Sequence, residues 1–256
     1  MQQTNLFTRS YRILRIFIHV IMGISITAIT WPFAAAKTRA KLTKWWCNKL
    51  LNCFNIKLIT TGKLPETSLS NSMFLANHIS WADIYALNSV IPLQFIAKSD
   101  INNWPILGYL VRKSGTIFID RNNRKDTARI VKTTAGHLIP GGNVGVFPEG
   151  TTTDGTMLAH FKSSIVQAAI DANTMLYPVA IRYPLPNGSI NTLMAYTGET
   201  TMGESMMNVL KQKAPVVELH FLAPINPQTG NRQELTQMTF ESIAKQLNLP
   251  GQIEAV

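Results

Sequence analysis

A histidine and an aspartate five positions apart, in Asn77-His78-Ile79-Ser80-Trp81-Ala82-Asp83, are the residues of this 256-residue chain whose types and spacing best fit chemistry. Imidazole titrates near neutral pH, so a histidine can take a proton from an alcohol and return it. A carboxylate on the other ring nitrogen fixes the tautomer and stabilises the imidazolium that forms. On an unbroken helix, five residues turn through about 500°, which leaves the two side chains roughly 140° apart. The pair meets only if the chain bends between them. Ser80-x-x-Asp83 reads as a capping box, which puts His78 just outside a helix and Asp83 in its first turn. The plainer alternative is that Asp83 only caps the helix and His78 is a loop residue.

A second block, Val144-Gly145-Val146-Phe147-Pro148-Glu149-Gly150-Thr151, is an apolar strand running into a turn. Glycine there lets backbone N–H groups approach a ligand closely, and the Glu149 carboxylate can hydrogen-bond a polyol. An ordinary strand-exit turn is the other reading. It does not explain why this turn and the His/Asp element both follow apolar strands.

Taken together these residues resemble the glycerolipid acyltransferase superfamily, whose bacterial prototype acylates 1-acylglycerol-3-phosphate. Its first block, Asn-His-x4-Asp, is matched by Asn77, His78 and Asp83. Its second, an apolar run ending in Arg, is matched by Gly115-Thr116-Ile117-Phe118-Ile119-Asp120-Arg121. Its third, Phe-Pro-Glu-Gly-Thr, is matched at Phe147 to Thr151, and its fourth by Leu176-Tyr177-Pro178-Val179-Ala180-Ile181. The resemblance spans roughly residues 56 to 225. It implies transfer of a fatty acyl group from a thioester, on CoA or on an acyl carrier protein, to the free hydroxyl of a lysolipid.

On that resemblance His78 is the general base and Asp83 its orienting partner. The alkoxide attacks the thioester directly, since no Ser or Cys is placed to form an acyl-enzyme. Backbone N–H groups near Gly150 and Thr151 are candidates for the oxyanion. Lys98 and Arg121 are the candidate anion binders, because Phe95-Ile96-Ala97-Lys98 and Phe118-Ile119-Asp120-Arg121 resemble the family's phosphate-contacting segments. One position departs from the pattern. Phosphate-specific members continue the third block with Arg-Ser, whereas this chain reads Thr151-Thr152-Thr153-Asp154-Gly155. A neutral hydroxyl stands in place of a cation. Lysophosphatidate is the first expectation for the acceptor, and lyso-ornithine lipid the second.

The elements that must position these residues alternate. Strands are expected at 56–60, 73–76, 94–97, 116–119, 144–147, 176–181, 193–196 and 216–221. Helices are expected at 80–89, 104–113, 125–139, 163–172 and 233–247. This alternation predicts an α/β fold with a largely parallel sheet flanked by helices. In such sheets ligands bind beyond the carboxyl ends of the strands. His78, Lys98, Arg121 and Glu149 each lie at or just after such an end, so one cleft would unite them.

Charge divides the chain. Residues 1–65 carry ten Lys and Arg and no Asp or Glu, and the remainder carries fourteen of each sign. The net +10 therefore sits in the first quarter. That quarter also holds Ile16–Ala36, 21 residues with no formal charge and one histidine, His19. About 20 apolar residues can span a bilayer. Positive charge flanks both sides, which fits a segment dipping into the cytoplasmic leaflet with both ends near anionic headgroups. A second amphipathic helix follows through Leu42, Trp45, Trp46, Lys49, Leu50 and Cys53. The predicted organisation is an N-terminal two-helix membrane-associating element over residues 1–62 and a catalytic domain over 63–256, on the cytoplasmic face of the inner membrane. A single spanning helix and a cleaved signal peptide ending near Ala34-Ala35-Ala36 are the alternatives. Nucleic-acid binding is disfavoured, because the basic residues flank an apolar run instead of forming an arm.

Cys47 and Cys53, six apart, match neither a zinc spacing nor a disulfide framework. The chain contains no HExxH, P-loop or GxSxG motif, so no metal and no resident cofactor is expected. Two rival functions remain open. One is a membrane lipid-binding protein without turnover; the other is a hydrolase that uses water as acceptor.

Overall fold

The computed structural model describes residues 3–63, 71–103, 107–119 and 124–249. Its centre is β2 (Ser72–Ala76), whose five residues are all buried. A strand packed on both faces has no polar side to show, and Ser-Met-Phe-Leu-Ala accordingly reads as a continuous apolar run. Alternate side chains still part company. Met73 and Leu75 enter one core, while Phe74 and Ala76 enter another.

Six further strands complete the sheet: β1 (Lys57–Gly62), β3 (Gln94–Lys98), β4 (Ile117–Ile119), β5 (Asn143–Val146), β6 (Met175–Arg182) and β7 (Val216–Phe221). Their spatial order is β1-β7-β6-β2-β5-β3-β4. Every pairing is parallel except β6 with β7. The sheet is therefore mixed and largely parallel, flanked by helices as predicted.

Eight helices are described: α1 (Leu6–Ile29), α2 (Ala36–Phe54), α3 (Ala82–Val90), α4 (Leu107–Lys113), α5 (Arg124–Leu138), α6 (Gln167–Asp171), α7 (Met202–Leu210) and α8 (Arg232–Leu247). Side chains of α2, α3 and α7 share the core under Phe74. Those of α5, α6 and α8 share the core on the other face, under Leu75.

Three details differ from the sequence-based expectation. Residues 193–196 form no strand: Thr192–Met194 is a 3-10 turn. The Tyr196 N–H donates to the Ile79 carbonyl and the Asn191 N–H to the Tyr183 carbonyl. Those donors are used to close loops over the site, so no ladder forms. Helix α7 was not foreseen, although Thr201-x-x-Glu204 forms a complete capping box at its start. Finally, the strand expected at 56–60 is formed by residues 57–62, on the N-terminal side of the boundary drawn at 62. They pair with β7 over six residues as an edge of the sheet.

The first two helices are a packed hairpin. His19, the histidine of the apolar run, is buried and stacks on Trp46 at 4.9 Å between ring centroids. Its Nε2 lies 2.9 Å from the Trp46 carbonyl, and the Trp46 indole N–H donates to the His19 carbonyl at 3.2 Å. The start of α1 is fixed to the domain by Arg12, whose guanidinium donates to the carbonyls of Gln212 and Lys213 at 2.7 Å each. The C-terminal half of α2 delivers Leu50, Leu51 and Phe54 to the main core. The opposite face of α1 is bare: Phe7, Leu14, Phe17 and Ile21 are exposed, and Phe33 beyond its end is 90% exposed. Among the described residues α1 is the one helix long and apolar enough to cross a membrane.

Candidate active site

Strand register builds the site. In the parallel pair of β2 and β5, Leu75 lies opposite Val146. Three residues further along each chain come His78 and Glu149, so the two blocks leave the sheet side by side. In the pair of β2 and β6, Ala76 lies opposite Val179. Asn77 extends this register with its side chain: its amide accepts from the Ile181 N–H at 2.7 Å and donates to the Ile181 carbonyl at 3.0 Å. A buried Asn used in this way continues the sheet by one step after the strand has turned away.

The chain then kinks, and the histidine and aspartate meet. His78 Nδ1 lies 2.8 Å from Asp83 Oδ2, with Asp83 fully buried. The same oxygen accepts the Ile79 N–H at 2.7 Å and the Ser80 N–H at 2.8 Å. Half of the predicted capping box is therefore present. The carboxylate reaches back to Ser80, but the Ser80 hydroxyl accepts from the Ala82 N–H, at 3.3 Å. Because the carboxylate can only accept, the Nδ1 of His78 is the protonated nitrogen and Nε2 is the basic one.

Tyr183, which sequence reasoning missed, completes this arrangement. Its phenol donates to Asp83 Oδ1 and is fully buried. Burial, followed by the neighbouring Asp83 charge, holds the phenol well above the usual tyrosine range, so it remains a donor. Nothing local in the sequence marks it. The signal lies in register: it stands two positions beyond Ile181, the residue Asn77 grips.

The Pro-Glu-Gly turn braces the histidine from the other side. The Phe147 ring stacks on the His78 ring at 3.8 Å between centroids, 9° from parallel. The Phe95 ring lies 5.5 Å from Phe147 in turn. It passes so close to Gly145 that a Cβ there would stand 2.6 Å from a ring carbon. Glu149 is buried. Its Oε1 accepts the His78 N–H at 2.7 Å and its Oε2 the Ala159 N–H at 2.8 Å. The expected polyol contact is thus not what this carboxylate makes: both oxygens face protein. The Gly150 N–H donates to the Phe147 carbonyl, at 3.0 Å, and closes the turn with φ +69°. Of the two backbone donors considered for the oxyanion, that one is engaged within the turn.

Burial pushes the Glu149 carboxyl up to about 7. Between its ordinary value and about pH 7 the folded chain holds a proton that the unfolded chain has lost. Stability therefore falls as pH rises through that window and levels off above it, by up to about 3 kcal/mol for this group. Glu149→Gln is expected to abolish that slope. It also costs about 1–3 kcal/mol at low pH, because its NH2 meets a backbone N–H that needs an acceptor. Urea unfolding of both proteins from pH 5 to pH 8 measures the difference.

An apolar groove of about 420 Å³ runs from this site towards the helical hairpin. It is lined by His78, Phe147, Gly150, Thr151 and Thr152 of the site and by Gly23, Thr27, Trp31 and Trp46 of the N-terminal segment. Tyr85, Phe95, Ile96, Leu110 and Val111 line it as well. Thr152 turns its hydroxyl to the Tyr196 carbonyl. Of the two expected anion binders, Lys98 ends β3 at the same edge of the sheet, with its backbone opposite Ile119. Its side chain and all of Arg121 lie outside the described residues.

Comparison with known proteins agrees with this geometry. Residues 56–182 match the family model described as Acyltransferase. The chain is 31% identical over 205 residues to a lyso-ornithine lipid O-acyltransferase of Pseudomonas aeruginosa, covering 80% of this chain and 78% of that protein. It is 30% identical over 243 residues to a 1-acyl-sn-glycerol-3-phosphate acyltransferase of Neisseria meningitidis, covering 94% of each. The fold matches the crystal structure of the 1-acyl-sn-glycerophosphate acyltransferase of Thermotoga maritima with a TM-score of 0.72, 17% identity and 95% of each chain covered. The chain belongs to the glycerolipid acyltransferase family, and it is an O-acyltransferase that acts on lysolipids.

Proposed function

We propose that the protein moves a fatty acyl group from acyl-CoA or acyl carrier protein to the free hydroxyl of 1-acylglycerol-3-phosphate, giving phosphatidic acid. The observation that carries the mechanism is the bond from His78 to the fully buried Asp83. It leaves Nε2 of His78 as the basic nitrogen of a residue that lines a largely apolar groove. That nitrogen takes the proton of the acceptor hydroxyl while the oxygen attacks the thioester carbonyl. The tetrahedral intermediate then collapses, its C–S bond breaks, and the imidazolium returns the proton to the departing thiolate. The Thr151 N–H, which has no protein acceptor among the described residues, is the candidate oxyanion donor.

The groove supports a place for the acyl chain. Its lining is mostly apolar and includes Trp31, two residues before the exposed Phe33. The hairpin supports a membrane location. Both ends of α1 return to the domain, through Arg12 at the start and through α2 at the end. This favours insertion into one leaflet over a single crossing. The basic residues of the first quarter fit the anionic cytoplasmic face of the inner membrane.

A second acceptor, lyso-ornithine lipid, is favoured by one observation: position 152 offers a hydroxyl already bound to the Tyr196 carbonyl, and no cation. The test is a panel of lysophosphatidate, lyso-ornithine lipid and lysophosphatidylcholine with labelled acyl-CoA. Lysophosphatidate is expected to be the best acceptor. A preference for lyso-ornithine lipid would replace the acceptor and leave the mechanism standing.

A further inference from the structure

We infer that Lys162, folded back over the Pro-Glu-Gly turn, binds the anionic headgroup of the acceptor lysolipid and supplies the charge that position 152 lacks. The inference rests on the acyltransferase reading above and deepens it.

Lys162 is placed by its neighbours on both sides. Phe161 is buried, edge-on to Phe240 at 5.2 Å. The Lys162 N–H donates to the Pro148 carbonyl at 2.9 Å, and the Ala159 N–H donates to Glu149. Residues 159–162 are thus laced to the turn that braces His78. The Lys162 side chain crosses back over that turn: a Cβ on Gly150 would stand 3.0 Å from its Nζ. Gly150 lines the same groove as His78. The ammonium therefore lies against a residue of that groove.

The surroundings leave that charge available. Among the described residues, no carboxylate lies in ion-pair range of Lys162. No Lys, Arg, Asp or Glu among them lines the groove itself. A phosphate or carboxylate entering beside His78 therefore meets Lys162 as a point charge with three donors. Thr152, whose hydroxyl turns to a backbone carbonyl, supplies no charge. The shared chemistry is an anionic oxygen, whether it comes from a glycerol phosphate or from the carboxylate of an amino-acid headgroup.

The test uses the full chain in neutral detergent micelles with labelled acyl-CoA. Three acceptors are compared: lysophosphatidate, lyso-ornithine lipid and the uncharged 1-acylglycerol. Lys162→Met, at an exposed position, is expected to lower the ratio of kcat/KM for anionic over uncharged acceptor by about 10- to 100-fold, as for loss of a hydrogen bond to a charged group. The loss falls mainly on KM, and Lys162→Arg restores most of it. A fall with lysophosphatidate alone assigns the phosphate, a fall with lyso-ornithine lipid alone the carboxylate, and a fall with both the shared anionic oxygen. Where 1-acylglycerol turns over too slowly to measure, the split between KM and kcat and the Arg rescue decide. An equal loss on charged and uncharged acceptors, or no loss, overturns the inference. Wild-type protein that acylates none of the three overturns the acyltransferase reading beneath it, a distinct failure.

Discussion

His78→Ala is expected to lower kcat for acyl transfer by about 10²- to 10⁴-fold, the range general-base catalysis contributes. The fold and its membrane binding should be untouched. Among the described residues the imidazole hydrogen-bonds to Asp83 and stacks on Phe147. The backbone N–H of residue 78 still donates to Glu149, and its carbonyl still accepts from the Thr153 N–H at 2.8 Å. The turn is thus retained when the ring is gone. Residual activity reflects the groove and backbone donors alone. Initial rates, together with sedimentation on anionic vesicles, separate the two effects. A variant that keeps wild-type kcat would remove the proposed base.

Asp83→Ala is expected to be as inactive and, unlike His78→Ala, unstable. One oxygen of Asp83 accepts from His78 Nδ1, the Ile79 N–H and the Ser80 N–H, and the other from the Tyr183 phenol. Truncation strands two backbone donors and a phenol in a fully buried site, and each stranded donor costs about 1–3 kcal/mol. A net loss of about 3–5 kcal/mol is expected, comparable to removing one partner of a buried pair. The imidazole also loses the contact that selects its tautomer, which in related dyads costs about 10⁴-fold in kcat. The pair acts as a unit, so the double variant His78→Ala/Asp83→Ala should be about as slow as either single one. Urea unfolding and initial rates of the three variants test both statements. Additive losses in rate would mean that Asp83 works independently of the histidine.

The chemistry of the site was legible where it depends on spacing, and hidden where it depends on register. His78 and Asp83 can meet only across a kink, and five residues with a serine between them announce one. The strands bearing these blocks were visible as apolar runs between turn residues. Tyr183 and Asn77 owe their roles to the pairing of β2 with β6, whose residues lie a hundred positions apart in the chain. A local pattern cannot reveal such a pairing. Glu149 was recognisable as a site residue, but its direction was not. A strand-exit carboxylate can face solvent or turn inward, and here two unsatisfied backbone N–H groups draw it in. Leu193–Tyr196 has strand composition but lost its ladder donors to loop closures. The apolar run that forms α1 was legible from hydropathy. Its cross-link through His19 and Trp46 was not, because a histidine in an apolar run shows no partner until the neighbouring helix is placed.

The account stands on direct attack by an acceptor hydroxyl that His78 deprotonates, without an acylated protein on the way. The most direct measurement is to mix the protein with acyl-labelled thioester, quench in denaturant before and after adding lysolipid, and follow label and free thiol together. Thiol should be released, and label should appear on lipid, only once the lysolipid is present, with no label on the chain at any time and both events slowed by about 10²- to 10⁴-fold with His78→Ala. Label bound covalently to the protein, or thiol released with no acceptor, would contradict it.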